Sequence, residues 1–329
     1  MNEKTYLDFE RPIAELEHKI EEIVAQAEAE NLDMSEELTT LREKIQKLEK
    51  DIYSNLTRWQ KYQLAGHKER PHTLDYIDLI LTDFVELHGD RCFKDDSAMV
   101  GGFGRLDGQP ILVVGQQKGR NTKENLHRNF GMAHPEGYRK ALRLMKLAVK
   151  FSRPILCLID TPGAYPGIGA EERGQAQVIA ENMFEMSRLN TPILCVVIGE
   201  GGSGGALGIG VGDRVAMLEH SYYSVISPEG CAGILWKSRE FAERAATALK
   251  FTSTDLKRLE IVDDVIQEPL GGAHRDHHQT AQRVKAYLVK SLRELLTLPS
   301  DELLQRRYAK FRSMGTFLEG SLEVESATA

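Results

Sequence analysis

The feature that most limits the fold of this chain is a repeated unit of strand, turn and helix in its middle. An apolar run that opens at Pro154-Ile155-Leu156-Cys157 reaches a turn at residues 161–167. A second run opens with the same four residue types at Pro192-Ile193-Leu194-Cys195 and reaches a turn at residues 199–205. Between them, residues 171–189 have a helical pattern. Such units predict parallel strands whose turns meet at one sheet edge, where α/β sheets hold their binding sites.

The flanking sequence predicts further strands of the same sheet. Met99–Leu106 and residues 110–115 lie on either side of Asp107-Gly108, which is a strong signal for a β-hairpin. Further strands are predicted at Arg214–Leu218 and at residues 222–226 and 261–266, and helices at residues 136–150 and 282–296. The residues therefore predict an α/β fold.

The N-terminal part of the chain is helical and charged. Apolar residues recur there at spacings of three and four, as a pair of packed helices requires: Ile13, Leu16, Ile20 and Ile23, then Leu38, Leu41, Ile45, Leu48 and Ile52. We interpret residues 11–64 as two antiparallel helices. The predicted domains are an assembly arm over residues 1–65, a main domain over 66–315 and a disordered tail over 316–329.

The composition excludes several classes of protein. A formal net charge of −7 argues against nucleic-acid binding by the whole molecule. The four cysteines include no C-x-x-C pair, which predicts a reduced intracellular protein without a zinc module. No apolar run approaches the ~20 residues that span a bilayer, and the acidic N-terminus does not resemble a signal peptide. We therefore expect a cytoplasmic protein.

Residues 199–205 are the strongest candidate for a functional site. They read Gly-Glu-Gly-Gly-Ser-Gly-Gly and follow a buried apolar run. Glycine permits close approach of the backbone, so that neighbouring N–H groups can converge on one point. A helix predicted from Ala206 would add the positive end of its dipole. The segment therefore predicts a site for an anion or an oxyanion.

Two interpretations of this segment, one as a binding site and one as a catalytic site, rely on short motifs. Gly199-x-Gly201-x-x-Gly204, with Glu219 beyond it, matches a dinucleotide-binding fingerprint. Gly201-x-Ser203-x-Gly205 matches the turn that carries a serine nucleophile. The partners of Ser203 would be Asp263 or Asp264 and His274, in the order found in α/β hydrolases.

Two other interpretations need no side-chain nucleophile. The N–H groups of Gly204 and Gly205 would form an oxyanion hole, and the turn at Gly163-Ala164 would form a second one. Alternatively, the glycines only let a helix pack tightly on the sheet, which is the interpretation we favour for three glycines further along, Gly208, Gly210 and Gly212. The residues alone leave all four interpretations open.

Two polar clusters have both a functional and a structural explanation. A basic cluster could contact a phosphate or form a solvated face, and it consists of Lys118, Arg120, Lys123 and Arg128. A histidine cluster, His274-x-x-His277-His278, has the residue type of a metal site, but no other ligand set points to it. We expect these histidines to lie in a surface loop.

Several long motifs in fixed order resemble one family. They are Asn129-Phe130-Gly131-Met132, Glu136-Gly137-Tyr138-Arg139-Lys140-Ala141-Leu142-Arg143, Ile159-Asp160-Thr161-Pro162-Gly163-Ala164-Tyr165-Pro166-Gly167, Gly169-Ala170-Glu171-Glu172-Arg173-Gly174-Gln175, residues 199–207, and Tyr223-Ser224-Val225-Ile226-Ser227-Pro228-Glu229-Gly230-Cys231-Ala232. Together they resemble the alpha subunits of the carboxyltransferase of bacterial- and plastid-type acetyl-CoA carboxylase. The resemblance runs from about residue 7 to residue 308.

The resemblance implies a crotonase-like (ClpP/crotonase) spiral of repeated β-β-α units, with the helical hairpin attached. It implies transfer of a carboxyl group from carboxybiotin to acetyl-CoA, which gives malonyl-CoA for fatty acid synthesis. Biotin would be attached to a separate biotin carboxyl carrier protein and not to this chain. The other expected partners in this ATP-binding complex are a zinc-bearing beta subunit, in an alpha2beta2 heterotetramer, and biotin carboxylase. The location would be the cytoplasm or the plastid stroma.

The resemblance also assigns roles to residues. The N–H groups of Gly204 and Gly205 would stabilise negative charge on the ureido oxygen of biotin. The substrate-binding residues would be Gly163, Ala164, Gly201, Gly202, Lys118 and Arg120. No metal is expected in this chain, and no side-chain base is required, because the freed biotin nitrogen can take the proton. Whether Gly163-Ala164 lines the cleft or only supports it stays open, as does a serine hydrolase or peptidase that uses Ser203.

Overall fold

The fold is a computed structural model that describes residues 5–30 and 32–315. Its strands are β1 (Leu81–Glu86), β2 (Met99–Leu106), β3 (Gln109–Gln116), β4 (Ile155–Thr161), β5 (Ile193–Gly202), β6 (Arg214–Leu218), β7 (Tyr222–Ser224) and β8 (Asp264–Ile266). The predicted tail over 316–329 lies outside the described residues.

Helices precede, separate and follow these strands. They are α1 (Arg11–Glu30), α2 (Ser35–Ser54), α3 (Arg58–Ala65), α4 (Thr73–Ile80), α5 (Thr122–His127), α6 (Pro135–Lys150), α7 (Ile168–Glu172), α8 (Gln175–Arg188), α9 (Ser203–Leu207), α10 (Pro228–Trp236), α11 (Ala242–Leu249), α12 (Ser253–Arg258), α13 (His277–Leu296) and α14 (Ser300–Ser313). None of the described helices is both long and apolar enough to cross a membrane.

The strands form one mixed sheet in the order β1-β2-β3-β4-β5-β6-β8, and β7 pairs with β5 away from this path. The first three strands are antiparallel, and β3 to β6 and β8 run parallel. Strand β5 pairs with β6 along its first half and with β7 at its end. The repeated unit of strand, turn and helix therefore places β4 and β5 side by side in parallel, as predicted.

The predicted hairpin between β2 and β3 is confirmed. Leu106 faces Gln109 across the strands, with Asp107-Gly108 between them. Both turn residues have positive φ, 51° for Asp107 and 79° for Gly108. This is the combination that a two-residue hairpin turn requires, and Asp-Gly adopts it readily.

Alternate side chains of the central strands enter two cores, one on each face of the sheet. From β4, Cys157 and Ile159 pack in a cluster that includes residues of α6 and α8, such as Tyr138 and Met186. Leu156 and Leu158 pack on the other face in a cluster with residues of α4 and α13. Because both faces are covered, β4 is buried along its whole length, and its residues are apolar until Asp160 and Thr161.

The N-terminal part contains three helices and not two. The seam predicted from the heptad-like spacing does bury Ile13 and Ile45 between α1 and α2. The third helix, α3, begins at a capping box in which Thr57 and Gln60 exchange hydrogen bonds. Its Tyr62 packs against Tyr222 beside the end of the sheet. This helix is therefore attached to the main body of the protein.

Some predicted boundaries were wrong. The helix over 171–189 is divided into α7 and α8, because Gly174 at its break has a left-handed φ of 81°. The strands over 222–226 and 261–266 are shorter than predicted, and α13 begins five residues earlier, at His277. The helix over 136–150 is confirmed, with Pro135 added in its first turn.

Candidate functional site

The ends of β4 and β5 lie side by side at one edge of the sheet. Their parallel pairing continues to Thr161, which is opposite Gly201. The first turn (residues 161–164) and the second turn (residues 201–205) therefore leave the sheet next to each other. The prediction that the two turns share one edge is confirmed.

Glycine allows the two turns to touch through their backbones. A Cβ atom on Gly205 would lie 2.6 Å from the amide nitrogen of Ala164 and 2.8 Å from the carbonyl oxygen of Gly163. A Cβ atom on Gly202 would overlap the carbonyl group of Pro162. No side chain fits at either position unless the turns separate, so close packing is one reason for these glycines.

Gly204 and Gly163 lie in more open surroundings. The nearest atom to a Cβ on Gly204 would be Cδ1 of Ile179, at an ordinary contact distance of 3.5 Å. A Cβ on Gly163 would meet no atom within 4 Å. Space is therefore available beside the point where the two turns meet.

The helix that follows the second turn begins earlier than predicted. It is the five-residue helix α9, which starts at Ser203 and not near Ala206. The N–H groups of Gly204 and Gly205 lie in its first turn, where backbone donors have no acceptor within the helix. A helix of one turn contributes little dipole, so these two donors are the chemically useful feature.

The second turn is held from behind by hydrogen bonds to the carbonyl oxygen of Gly205. That oxygen accepts bonds from Nε2 of Gln116, at 3.0 Å, and from the hydroxyl of Tyr138, at 3.3 Å. Both side chains are buried. The peptide groups around Gly205 are therefore fixed before any ligand arrives, as an oxyanion site requires.

Lys118 lies beneath the two turns and forms two ion pairs. Its Nζ atom is 2.5 Å from Oδ1 of Asp160 and 2.6 Å from Oε2 of Glu200. Burial opposes ionisation of Asp160, but Lys118 and His72 hold the pKa of that carboxyl well below its usual range. Although burial lowers the pKa of Lys118, the two carboxylates raise it, and the net direction is upward. Asp160 and Lys118 are therefore both charged near neutral pH.

Arg120 lies at the rim of this region. Its Nη2 atom pairs with Oδ2 of Asp75 at 2.6 Å, and Nη1 donates to the carbonyl oxygens of Lys68 and Arg70. About a third of its side chain, 34%, remains exposed. The two predicted phosphate contacts thus differ, because Lys118 is only 12% exposed and engaged by two carboxylates.

Comparison with known proteins decides among the interpretations. The family profile described as "Acetyl co-enzyme A carboxylase carboxyltransferase-like" matches residues 6–315. The acetyl-coenzyme A carboxylase carboxyl transferase subunit alpha of Methylococcus capsulatus is 59% identical over 314 residues, 95% of this chain and 98% of the relative. The corresponding subunit of Rhodopirellula baltica is 60% identical over 320 residues, 96% of this chain and 98% of the relative.

The chain belongs to the acetyl-CoA carboxylase carboxyltransferase alpha-subunit family. The resemblance drawn from the sequence motifs is therefore confirmed. As a member of this family, the chain is a carboxyltransferase component and has a beta subunit as its partner in the carboxylase complex.

Solved structures support the fold of this carboxyltransferase subunit. Transcarboxylase 12S, with methylmalonyl-coenzyme A bound, aligns with a TM-score of 0.54 at 20% identity, over 68% of this chain and 43% of that one. A Pseudomonas malonate decarboxylase hetero-tetramer in complex with coenzyme A aligns with a TM-score of 0.55 at 18% identity, over 66% and 89%. The predicted crotonase-like α/β class is confirmed.

The serine hydrolase interpretation is wrong for this carboxyltransferase subunit. Ser203 is exposed, and no hydrogen bond joins it to a histidine in the part of the chain described by the structure. His274 is buried and bonds to Glu10. Asp263 accepts bonds from the backbone of Val215 and from Lys310. His274 and Asp263 therefore have other partners, and so does the alternative acid Asp264, which accepts the hydroxyl of Tyr287.

The dinucleotide fingerprint also does not have the required geometry. Gly199 lies within strand β5, and Gly201 still pairs as part of that strand with Thr161 and Tyr223. Glu219, directly after β6, accepts a bond from the N–H of Glu268. The match in Gly199-x-Gly201-x-x-Gly204 therefore came from glycines that extend a strand.

The expectation that the histidine cluster lies in a surface loop was wrong, because His274 is only 7% exposed and His277 and His278 begin helix α13. Among the described residues, Glu10, His67 and His274 bring ligand atoms within 4.8 Å of one another. Both nitrogens of His67 are already engaged, by the N–H of Glu69 and the carbonyl of Thr5. The cluster therefore fixes the N-terminal segment to the body of the protein by internal hydrogen bonds.

The ion pairs around Lys118 were not predicted from the sequence. Lys118, Asp160 and Glu200 lie on three different segments, so no local motif connects them. Asp160 belongs to the motif over residues 159–167 and Glu200 to the glycine segment, and neither was predicted to pair with a lysine. One usable signal was the position of each carboxylate at the end of a buried apolar run, where a charge needs a partner.

Proposed function

We propose that this chain provides the biotin side of a carboxyltransferase that moves a carboxyl group from carboxybiotin to acetyl-CoA and forms malonyl-CoA. Family membership supports the reaction. The single structural observation that supports the site is the contact between Gly205 and the backbone of Gly163 and Ala164. That contact brings the two glycine-containing turns into one cleft.

The residues present fit a group that develops negative charge on an oxygen. Carboxybiotin, carried on the biotin carboxyl carrier protein, would supply the carboxyl group and an electron-rich ureido oxygen. The N–H groups of Gly204 and Gly205 are donors without an acceptor in their helix. The open space at Gly163 and the ordinary contact at Gly204 leave room beside them.

The chain stabilises this oxygen through a backbone that is fixed in advance. Gln116 and Tyr138 hold the carbonyl oxygen of Gly205, so the neighbouring N–H groups do not have to reorient during the reaction. Loss of one donor from such a site typically costs ~2.7–4 kcal/mol of transition-state stabilisation. Ser203 has no catalytic role in this proposal.

The other predicted site residues receive roles by their positions. Gly163 and Ala164 line the cleft opposite Gly205, and Gly201 and Gly202 hold the end of β5 in place beneath it. Arg120, whose side chain is about one third exposed (34%), is the residue that we assign to a phosphate of coenzyme A. Lys118 would have to give up a carboxylate partner to do the same.

We further propose that a zinc-bearing beta subunit closes the site and that the assembly is alpha2beta2, served by biotin carboxylase and the carrier protein. Exposed apolar side chains lie just beyond strand β7, which pairs with the end of β5. Val225 is 76% exposed, and Ile234 and Leu235 on α10 are 64% and 62% exposed. A partner that covered Val225, the residue directly after β7, would lie near the end of β5.

Reconstitution tests this function. The chain is mixed with the beta subunit and biotinylated carrier protein, and carboxyl exchange between malonyl-CoA and acetyl-CoA is measured. We expect exchange only with both subunits present. Ser203→Ala should retain it, and a fluorophosphonate probe should not label Ser203. Absence of exchange in a correctly assembled complex would refute the proposal.

A second arm of this experiment tests the proposed surface. Ile234→Asp with Leu235→Asp should prevent assembly and exchange while the isolated chain keeps its melting temperature, because both side chains are exposed. The matched control is Phe151→Asp, an exposed apolar residue elsewhere (57%) that should leave assembly intact. Normal assembly of the α10 variant would refute this surface as the interface.

A further inference from the structure

We propose that Lys118 is a positioning residue that holds the two turns in register, through a charged tie formed by Lys118, Asp160 and Glu200. The inference rests on the proposed function, because it assigns Lys118 to the geometry of that site. This positioning role replaces the role predicted for Lys118 from the sequence, which was direct contact with a substrate phosphate. The tie acts on the backbone that presents the N–H groups and not on the reacting atoms.

The tie joins the ends of three neighbouring strands. Lys118 follows β3, Asp160 lies in the last part of β4, and Glu200 lies near the end of β5. Asp160 immediately precedes the first turn, and Glu200 immediately precedes the second. One ammonium group therefore fixes the separation between the two points from which the turns leave the sheet.

Further hydrogen bonds make the tie rigid. Oδ1 of Asp160 also accepts the backbone N–H of Glu200 at 3.0 Å, so one carboxylate oxygen holds both Lys118 and strand β5. Its Oδ2 atom lies 3.1 Å from Nδ1 of His72. Oε1 of Glu200 accepts the hydroxyl of Tyr222 at 3.2 Å. Every carboxylate oxygen of the tie thus has a partner.

The tie is enclosed by backbone as well as by side chains. A Cβ on Gly199 would lie 2.6 Å from Oδ1 of Asp160. A Cβ on Gly131 would lie 2.9 Å from Cγ of Lys118 and 3.1 Å from the carbonyl oxygen of Asp160. Gly131 ends a run of three residues with positive φ, after Asn129 and Phe130. The stem of Lys118 therefore cannot swing away toward a ligand without moving this segment.

Charge explains why removal of Lys118 should move the turns. The side chains of Asp160 and Glu200 are only 3% and 16% exposed, so solvent screens them poorly. Without the ammonium group, two carboxylates that share one partner would repel each other across adjacent strands. A displacement of about 1 Å at a preorganised site can cost about 100-fold in rate.

The test compares Lys118→Met with Lys140→Met in the assembled enzyme. Lys140 is also a buried lysine with an ion pair, 2.6 Å from Oδ1 of Asp95, and it lies outside the tie. We expect Lys118→Met to lower kcat about 100-fold and to change KM for acetyl-CoA less than about threefold. Lys140→Met should leave both constants near wild type, even if it lowers the melting temperature. Glu200→Gln, which keeps the shape and one ion pair, should lower kcat by about tenfold.

Hydrogen exchange on the isolated full chain gives a readout that does not need activity. In Lys118→Met, amides of both turns should exchange about tenfold faster than in wild type, whereas Lys140→Met should not affect them. If Lys118→Met does not fold, the same comparison with Glu200→Gln decides the question.

Each contrary outcome has a distinct meaning. A raised KM with unchanged kcat would identify Lys118 as a phosphate contact and overturn the proposal. A loss of kcat in Lys118→Met with unchanged amide hydrogen exchange in both turns would show that Lys118 takes part directly in the reaction. That result would also overturn the proposal. If the wild-type complex shows no carboxyl exchange, the proposed function fails. The hydrogen-exchange rates of the isolated chain still report whether the tie holds the turns.

Discussion

The two turns follow equivalent strands but are stabilised in different ways. In the first turn, Oγ1 of Thr161 donates to the carbonyl oxygen of Gly163 and accepts its N–H, so one buried side chain closes the turn. The second turn has no such side chain. It is shaped by the absence of Cβ atoms at Gly202 and Gly205 and by the bonds from Gln116 and Tyr138 to the Gly205 carbonyl.

This difference shows what each turn needs from its sequence. The first turn tolerates space around Gly163 because a hydroxyl group holds its backbone. The second turn depends on close approach, so its glycines are constrained by their neighbours before any ligand is considered. Substitutions in the first turn should therefore be harmful through lost hydrogen bonds, and substitutions in the second turn through steric overlap. The two effects can be measured separately.

The largest effect is expected for Gly205→Ala in the second turn. The new Cβ would lie 2.6 Å from the amide nitrogen of Ala164, which is backbone and cannot move independently. We expect exchange activity in the reconstituted complex to fall at least 100-fold, because the turns must separate and the N–H groups lose their alignment.

Gly204→Ala is the matched control for that variant. Its Cβ meets Ile179 at 3.5 Å, an ordinary contact with a flexible side chain. Activity within about tenfold of wild type is expected, since the backbone N–H groups remain. Equal losses in the two variants would show that the close contact between the turns is not what matters.

A smaller effect is expected when the side chain that closes the first turn is changed. Thr161→Val keeps the shape of the side chain but leaves the polar groups of Gly163 without their partner. Loss of such a buried pairing costs about 1–3 kcal/mol, which urea unfolding should detect. Thr161→Ser, which retains the hydroxyl, should restore most of this free energy, and failure to do so would assign the effect to packing.

Ser203 should show a still smaller effect, and one of opposite sign. It has a φ of 51° at the start of α9, a conformation that costs non-glycine residues about 1 kcal/mol or more. Ser203→Gly should therefore leave the free energy of unfolding unchanged or slightly raised, and Ser203→Ala should leave exchange activity within about threefold of wild type. A large loss of activity in Ser203→Ala would contradict the oxyanion site without a nucleophile.

The smallest effect is expected from pH, through the charged tie that joins the turns. The pKa of Asp160 is below its ordinary value of 3.8, so its contribution to stability is present above pH 3.8 and is lost as the pH falls further. The pKa of Lys118 is above 10.5, so its contribution is present below that pH and is lost above it. Between pH 6 and 9, the protection of the amides of both turns against hydrogen exchange should not change, once the intrinsic pH dependence of amide exchange is corrected for. A step within that range would show that another group controls the turns.

Much of the site was predictable from local pattern. Repetition of Pro-Ile-Leu-Cys placed β4 and β5 together, because parallel strands with short turns end at the same edge. Asp107-Gly108 fixed the hairpin through the φ values that its turn requires. The family motifs then supplied the chemistry that short glycine patterns leave open.

Other features depended on contacts that are distant in sequence. Strand β5 continues through Gly199 and Gly201 because Thr161 and Tyr223 pair with its end, which overrides the weak strand preference of glycine. The burial of His274 follows from its bond to Glu10. The start of α3 did have a local signal, the capping box formed by Thr57 and Gln60.

The buried position of Glu10 has a consequence for the order in which the protein folds. Glu10 is fully buried and bonds to Tyr53 and, 264 and 265 residues further along the chain, to His274 and Arg275. Burial raises the pKa of Glu10, yet His274, the backbone N–H of Leu7 and the hydroxyl of Tyr53 bring it down to about 2, so its carboxylate is charged near neutral pH. During synthesis on the ribosome, the residues around Glu10 are made long before their partners. Closure of so long a loop is slow, so we expect the N-terminal segment to dock last, after residues 272–275 have left the ribosome.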